Sequence, residues 1–319
     1  MTHSLSWWVG FNVLILILIA LDLGVFHRKS EVISVKAALY WSLGWIVTSL
    51  TFNVGVYYWF GYQSALEFLT GYLIEKSLSI DNIFVFAILF NYFGVSTKYQ
   101  HKVLYWGILG ALVMRGALIA VGAALISNFH WVIYILGAFL VYTGIKMAIQ
   151  EGVSVHPEKN PVINLAKKFL PMTKDYHEDK FMVKIDGKRF FTPLLIVLLV
   201  VEVTDLAFAV DSIPAIFAIT TDSFIVYTSN VFAILGLRAL YFALSGVLEM
   251  FHYLKYGLGM VLSFVGVKMI LSDVFDIPIP IALGVVALIL TISITASIML
   301  PPKNPVEKKI DPPSADNAS

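Results

Sequence analysis

The chain of 319 residues contains no cysteine, which excludes disulfides, thiolate metal sites and thiol redox chemistry of its own. Charge is scarce too: Asp, Glu, Lys and Arg make up 13% of residues, against about 25% in an ordinary soluble domain. A net charge of +1 with no visible basic groove gives nucleic acid nothing to bind. Histidine is missing from the apolar interiors: His27, His101, His130, His156, His177 and His252 fall at helix ends or in loops, and His3 in the N-terminal tail. There is no HExxH, no Ser/His pair and no nucleotide-binding glycine loop, so the chain does not read as an enzyme. No secretory signal is evident. Nothing basic precedes the first apolar run, and Arg28 and Lys29 follow it, so that run reads as an anchor that is kept.

What is abundant is apolar surface. Hydrophobic residues make up 59% and mean hydropathy is +0.83, which predicts an all-α polytopic membrane protein. Windows of spanning length fall near 7–27, 37–60, 66–93, 102–127, 130–149, 191–218, 224–247, 253–272 and 278–300, predicting nine helices across a hydrocarbon core of about 30 Å. Of 22 Lys and Arg, five lie well inside these spans, Lys76, Arg115, Lys146, Arg238 and Lys268, while Lys102 and Lys255 stand at the ends of theirs. All but those five fall on one side. By the positive-inside rule that side is cytoplasmic, placing the N-terminus outside and the C-terminus inside.

The expected organisation is two N-terminal helices (1–65), a three-helix unit (66–149), a polar basic cytoplasmic loop (150–190), a second three-helix unit (191–272), a last helix (273–300) and a disordered tail (301–319). Within the loop, Pro157, Pro161 and Pro171 leave room for a short helix only around 162–169, and FMVKIDGKRFF predicts a hairpin turning at Asp186-Gly187. The two units resemble one another. Residues 134–147, YILGAFLVYTGIKM, match 256–269, YGLGMVLSFVGVKM; ILG recurs at 108–110 and 234–236, followed by Arg115 and Arg238. Because each unit has an odd number of helices, helices 3–5 and 6–8 would form an inverted repeat, an architecture that holds substrate near the midplane.

Two acidic stretches sit inside these apolar spans: EKSLSIDN at 75–82 and EVTDLAFAVDS at 202–212. At mid-membrane, Glu75, Asp81, Glu202, Asp205 and Asp211 would together cost about 12–17 kcal/mol if left unpaired, as much as the net stability of a typical fold, about 5–15 kcal/mol. They must therefore face partners, protons or a bound cation. Helical spacing puts Glu75 and Asn82 on one face, and Asp205 and Ser212 on another, while Asp81 and Asp211 point elsewhere unless Pro214 opens its helix. The expected ligands are Glu75, Asp81, Asn82, Glu202, Asp205, Asp211 and Ser212, converging where the third and sixth helices cross. This all-oxygen set suits a hard divalent cation. Arg115, Arg238 and Lys76 would balance part of the charge, Asp22 would pair with Arg28 and Lys29, and Lys146 and Lys268 would snorkel.

FLTGYLIEKSLSIDNIFVF, VEVTDLAFAVDSIPAIFAITTD, TSNVFAILGLRALYF and LKYGLGMVLSFVGVKM closely resemble the bacterial TerC family, and within it the Alx-type proteins, from Asp22 to about Leu290. The second motif reads EVTD here where the family usually has ELSD. The resemblance implies a multi-pass inner-membrane protein related to cation exporters of the LysE group. It implies Mn2+ as a transported substrate, no permanently bound cofactor, and protons as a candidate coupling ion. Tellurium resistance and membrane-bound redox modulation are older family labels. They, or a scaffold acting through 150–190, form the alternative.

Overall fold

A computed structural model describes residues 3–26, 34–149, 170–173, 175–244, 253–275 and 277–300. Among these residues the chain is helical almost throughout: α1 (Leu5–Phe26), α2 (Val35–Phe60), α3 (Tyr62–Tyr92), α4 (Thr97–Asn128), α5 (Val132–Ile149), α6 (Pro193–Phe217), α7 (Ser223–Leu235), α8 (Leu237–Leu244), α9 (Leu254–Ile270) and α10 (Ile279–Met299). Counting α7 and α8 as one span broken at Gly236 gives the nine expected segments. Six of the spans are long and apolar enough to cross a membrane by length and composition alone. The exceptions have physical reasons. α3 carries Glu67, Glu75, Lys76 and Asp81; α2 is rich in Trp, Tyr, Ser and Thr; and α9, with 17 residues, reaches only about 25 Å.

The helix ends follow from local chemistry. Asp222 caps α7, its Oδ1 accepting from the amides of Phe224 (3.0 Å) and Ile225 (3.3 Å), and Pro193 opens α6 where a missing N–H costs nothing. Gly61, at φ +93°, is the whole link between α2 and α3. The helix expected to open at Pro214 does not: α6 continues to Phe217, and the break falls at Gly236 instead. Pro214 lies in the last turn of α6, where a lost hydrogen bond disturbs little. The hairpin does form, with β1 (Met182–Ile185) antiparallel to β2 (Lys188–Phe191), and Asp186 and Gly187 both have positive φ, as a type I′ turn requires. The short helix near 162–169, the tail 301–319 and the Arg28/Lys29 partners assigned to Asp22 lie outside the described residues.

α3 is central, packing on α2, α6, α7 and α10, while α4 lies against α6 and α7. Large apolar side chains on α1, α2, α5 and α10, among them Leu16, Val47, Tyr142 and Leu288, point outward, as a lipid-facing surface requires. The loops sort into two ends. At one, His3 Nε2 meets Asp222 Oδ2 at 2.7 Å, and Asp273 is held by His130 at 2.8 Å and by the Tyr134 hydroxyl, which together keep its carboxyl below the usual carboxylate range. At the other, the Tyr176 hydroxyl donates to Phe93 O at 2.7 Å and Lys102 pairs with Asp179 at 3.1 Å.

The most extensive helix pair is α5 with α9. A Cβ on Gly144 would stand 2.5 Å from Gly259 O, and one on Gly266 2.6 Å from Gly137 O, so the backbones meet directly. Gly144→Ala should therefore destabilise the fold by about 1–3 kcal/mol. Gly10→Ala, with nothing within 4 Å, should be neutral or gain up to about 1 kcal/mol. Denaturant titration of the protein in detergent, comparing the two variants, checks this.

Candidate cation site

The acidic motifs meet at one arginine. α4 delivers Arg115 to the centre of the molecule, where Nη1 donates to Glu75 Oε1 on α3, and Nε and Nη2 donate to the two carboxylate oxygens of Asp205 on α6 at 3.2 and 3.0 Å. α7 closes the network with Asn230. Its Oδ1 accepts from Arg115 Nη1 at 3.1 Å and its Nδ2 donates to Glu75 Oε2 at 3.2 Å. None of the four residues is more than 4% exposed, so water does not share the charge. One guanidinium faces two carboxylates, and the ionised network carries a net charge of −1.

Next to it lies a carboxylate with no such partner. Glu202, one helical turn before Asp205, lies against Gly110 of α4, where even a methyl group would collide with it. Its Oε2 is buried without a hydrogen bond, and among the described residues Glu202 forms no ion pair. Ser79 Oγ and Asn82 Oδ1 on α3 and Ser212 Oγ on α6 are likewise buried and unpartnered. An unsatisfied buried polar atom costs about 1–3 kcal/mol; Ser42, Ser49 and Asn53 on α2 and Tyr72 on α3 also carry such atoms, so what sets Glu202 apart is that its idle oxygen belongs to a carboxylate. The idle atoms of Glu202, Ser79, Asn82 and Ser212 are all oxygens, the donor type a hard cation takes. Among the described residues, no three of His, Asp and Glu are positioned to hold a metal ion together; Arg115 already occupies Glu75 and Asp205.

The family model described as "Integral membrane protein TerC family" matches residues 60–304. The chain belongs to the TerC family. It is 49% identical over 292 residues to an uncharacterized membrane protein, STKORF319, of Myxococcus xanthus, covering 92% of each chain. It is 48% identical over 297 residues to "Putative membrane-bound redox modulator Alx" of Salmonella typhi, covering 90% of this chain and 92% of that one. The relative of the same name in Escherichia coli (strain K12) is 47% identical over 301 residues, with 91% and 94% covered. No solved structure matches. The TerC match begins at α3, so the Arg115 network lies wholly within it, while α1 and α2 lie outside it.

The remaining candidate residues of this TerC chain do not join the network. Asp81 feels the charge of Lys255 at the start of α9, and Asp211 accepts from Thr143 Oγ1 on α5 at 3.4 Å, with Lys146 in electrostatic reach. Both sit where an unbroken helix turns them, away from the Glu75 and Asp205 faces. Arg238 does not balance the acidic motifs: it donates from Nη2 to Asp22 Oδ2 on α1 at 2.6 Å. Lys76 reaches no carboxylate for a salt bridge but donates to Ala233 O at 3.2 Å, near the break at Gly236. Nor does Lys268 snorkel. It is 7% exposed and donates at 3.1 Å to Ala218 O, at the C-terminal cap of α6, where a cation suits the helix dipole.

Asn230 was not singled out from the sequence. Its signal is modest, an amide in TSNVFAIL that apolar packing alone would not call for. Arg115→Gln should strand Glu75 and Asp205 together and cost about 3–5 kcal/mol. Arg115→Lys should recover little of that, because one ammonium cannot make the bidentate contact to Asp205 as well as those to Glu75 and Asn230. Folded yield and thermal stability in detergent measure both.

Proposed function

We propose that this TerC protein is a secondary transporter of the bacterial inner membrane that exports a hard divalent cation. Manganese is named first on the strength of the family resemblance, since an all-oxygen ligand set alone does not separate it from calcium. The observation that carries the reading is Glu202: a buried carboxylate with an unpartnered oxygen, one turn from a network that is already net negative. A passing divalent cation would supply the missing charge and take the idle Glu202 oxygen, with Asn82 and Ser212, about two turns beyond Glu75 and Asp205 in opposite directions, offering oxygens before and after it. Asp81 and Asp211, nearer the two ends of the cluster's helices, would be stations on either side of it.

The packing of α5 on α9 supports an inverted repeat. In the sequence match Gly137 corresponds to Gly259 and Gly144 to Gly266, yet the contacts are crossed, Gly137 with Gly266 and Gly144 with Gly259. A two-fold axis between the copies produces that pairing, and such an axis relates the two halves of an alternating-access site. The redox-modulator name of the relatives favours a second reading, an indirect effect on redox balance. With no cysteine in the chain, that effect would have to run through the ion moved or through a partner.

Efflux of Mn2+ from loaded vesicles tests the proposal. Glu202→Gln should lower cation affinity by roughly tenfold or more, since charge-assisted contacts are worth about 1.5–3 kcal/mol and each 1.4 kcal/mol is tenfold. Asp211→Asn should also weaken transport, and Lys146→Gln should do much less. Protons compete for the same oxygens, so uptake by the site should fall on acidification. Full transport by the carboxylate variants would sink the mechanism, and no transport by the unaltered protein would sink the function.

A further inference from the structure

Two crevices flank the Asp22–Arg238 pair. The first is narrow, about 10 Å³, room for roughly one water; it lies between α1, α2 and α8 and is lined by Asp22, Ala38, Trp41, Trp45 and Ala239. The second is equally narrow, about 10 Å³, lies between α3, α4, α6, α7 and α8, and is lined by Gly107 and Ala111 and by Asp205 of the Arg115 network. Arg238 lines both. Among the residues lining the second crevice, only Arg238 and Asp205 are charged, and the rest are apolar or glycine.

We propose that Asp22 and Arg238 form the gate of the cation path at the end of the molecule that carries the β1–β2 hairpin, with Asp22 as the first carboxylate a divalent cation meets. This rests on the reading of the chain as a cation transporter. The Asp22 side chain is 20% exposed and that of Arg238 7%, so the carboxylate faces the outer crevice while the guanidinium stands between the crevices. While paired, Arg238 places a positive charge across the route to Asp205 and repels a cation in a medium that screens poorly. A divalent cation reaching Asp22 competes for the same oxygens with twice the charge and releases Arg238 from them.

The backbone provides for the movement. α7 ends at Leu235 and α8 starts at Leu237, so the helical ladder is interrupted at Gly236, two residues before Arg238. Gly236 packs so closely on Trp45 and Lys76 that a Cβ would stand 3.1 Å from Trp45 Cβ and 2.9 Å from Lys76 Nζ. Trp45 also lines the outer crevice, so the hinge, the crevice and the pair are in contact. Asp22 lies outside the stretch matched by the family model, residues 60–304.

Because the chain has no cysteine, single cysteines report access directly. Ala239→Cys samples the outer crevice and Ala111→Cys the inner one, each in the full chain reconstituted in vesicles. A small cationic thiol reagent, methanethiosulfonate ethylammonium, is applied from the hairpin side. Position 239 should react readily and position 111 slowly. Adding Arg238→Gln should speed reaction at 111 on the order of tenfold, the effect of losing one charge-assisted contact, and leave 239 reactive. Adding Asp22→Asn instead should slow the cationic reagent at 239, because the attracting carboxylate is gone. Should Arg238→Gln misfold with Asp22 left unpaired, the double variant Asp22→Asn/Arg238→Gln keeps an amide pair in place and should still open position 111. If the pair were only a clamp between α1 and α8, position 111 would stay slow in both, and that result overturns the gate. Labelling requires no flux. A chain that opens at 111 yet moves no cation would therefore overturn the transport proposal alone, and a chain that transports with position 111 indifferent to Arg238 would overturn the gate alone.

Discussion

Everything at the centre of this molecule depends on placing one guanidinium between two carboxylates where water does not reach. At an effective dielectric near 20, two unit charges about 4 Å apart interact by about 4 kcal/mol, so neither Glu75 nor Asp205 could be buried alone at acceptable cost. Arg115 makes both tolerable, and with Asn230 it ties α3, α4, α6 and α7 to one point. It does not make them neutral. With the Glu202 carboxylate a turn away, and Lys76 in electrostatic reach of Glu75, the balance of charge at the centre of the bundle is what the proposed cation would complete.

Such a centre needs room, and the room comes from missing side chains. Gly110 accommodates the Glu202 carboxylate; Gly71 lies against Ser229 and Ile216 where α3 meets α6 and α7; and the α5–α9 seam brings backbone against backbone at four glycines. Small residues at helix contacts are the usual means of close approach in a bilayer, where apolar area gives no drive for helices to associate. In this chain they do more than pack. They let polar oxygens remain in the interior at positions where a bulkier neighbour would have expelled or covered them.

The sequence showed the helices, the hairpin and the acidic faces because each depends on local spacing: apolar runs set spans, a period of 3.6 sets faces, and Asp-Gly sets the turn. Partners were far less legible. Periodicity says which way Arg238 points on its own helix, yet whether it meets Asp205 or Asp22 depends on how α1 docks, which no local pattern encodes. The repeat misled on the same point. Arg115 and Arg238 follow the same ILG motif, but one lies within the acidic network and the other faces the first helix. Lys146 and Lys268 diverge likewise, one exposed on α5 and the other buried against the end of α6. Gly236, an unremarkable residue within an apolar run, broke its helix where Pro214 did not.

These divergences bear on how a symmetric frame could do asymmetric work. A strictly two-fold bundle would present identical barriers at its two ends; unequal ends change how readily a cation enters from each side, while its gradient and any coupled ion still set the net direction. In this protein the ends are closed by different chemistry. At the hairpin end, an arginine held by a carboxylate from α1 stands between two crevices. At the opposite end, His3 sits against Phe60 and Phe224 and meets Asp222, while Thr220 donates to Glu67 at 2.7 Å. The first closure, on the gate proposed above, would repel a cation until one displaced it. The second is an acid-rich contact that a cation can approach, and in it His3 and Thr220, not an arginine, face the carboxylates. The N-terminal segment contributes to both, through Asp22 at one end of α1 and His3 just ahead of the other. One helix outside the repeated units is thus enough to make the two ends of the bundle unequal.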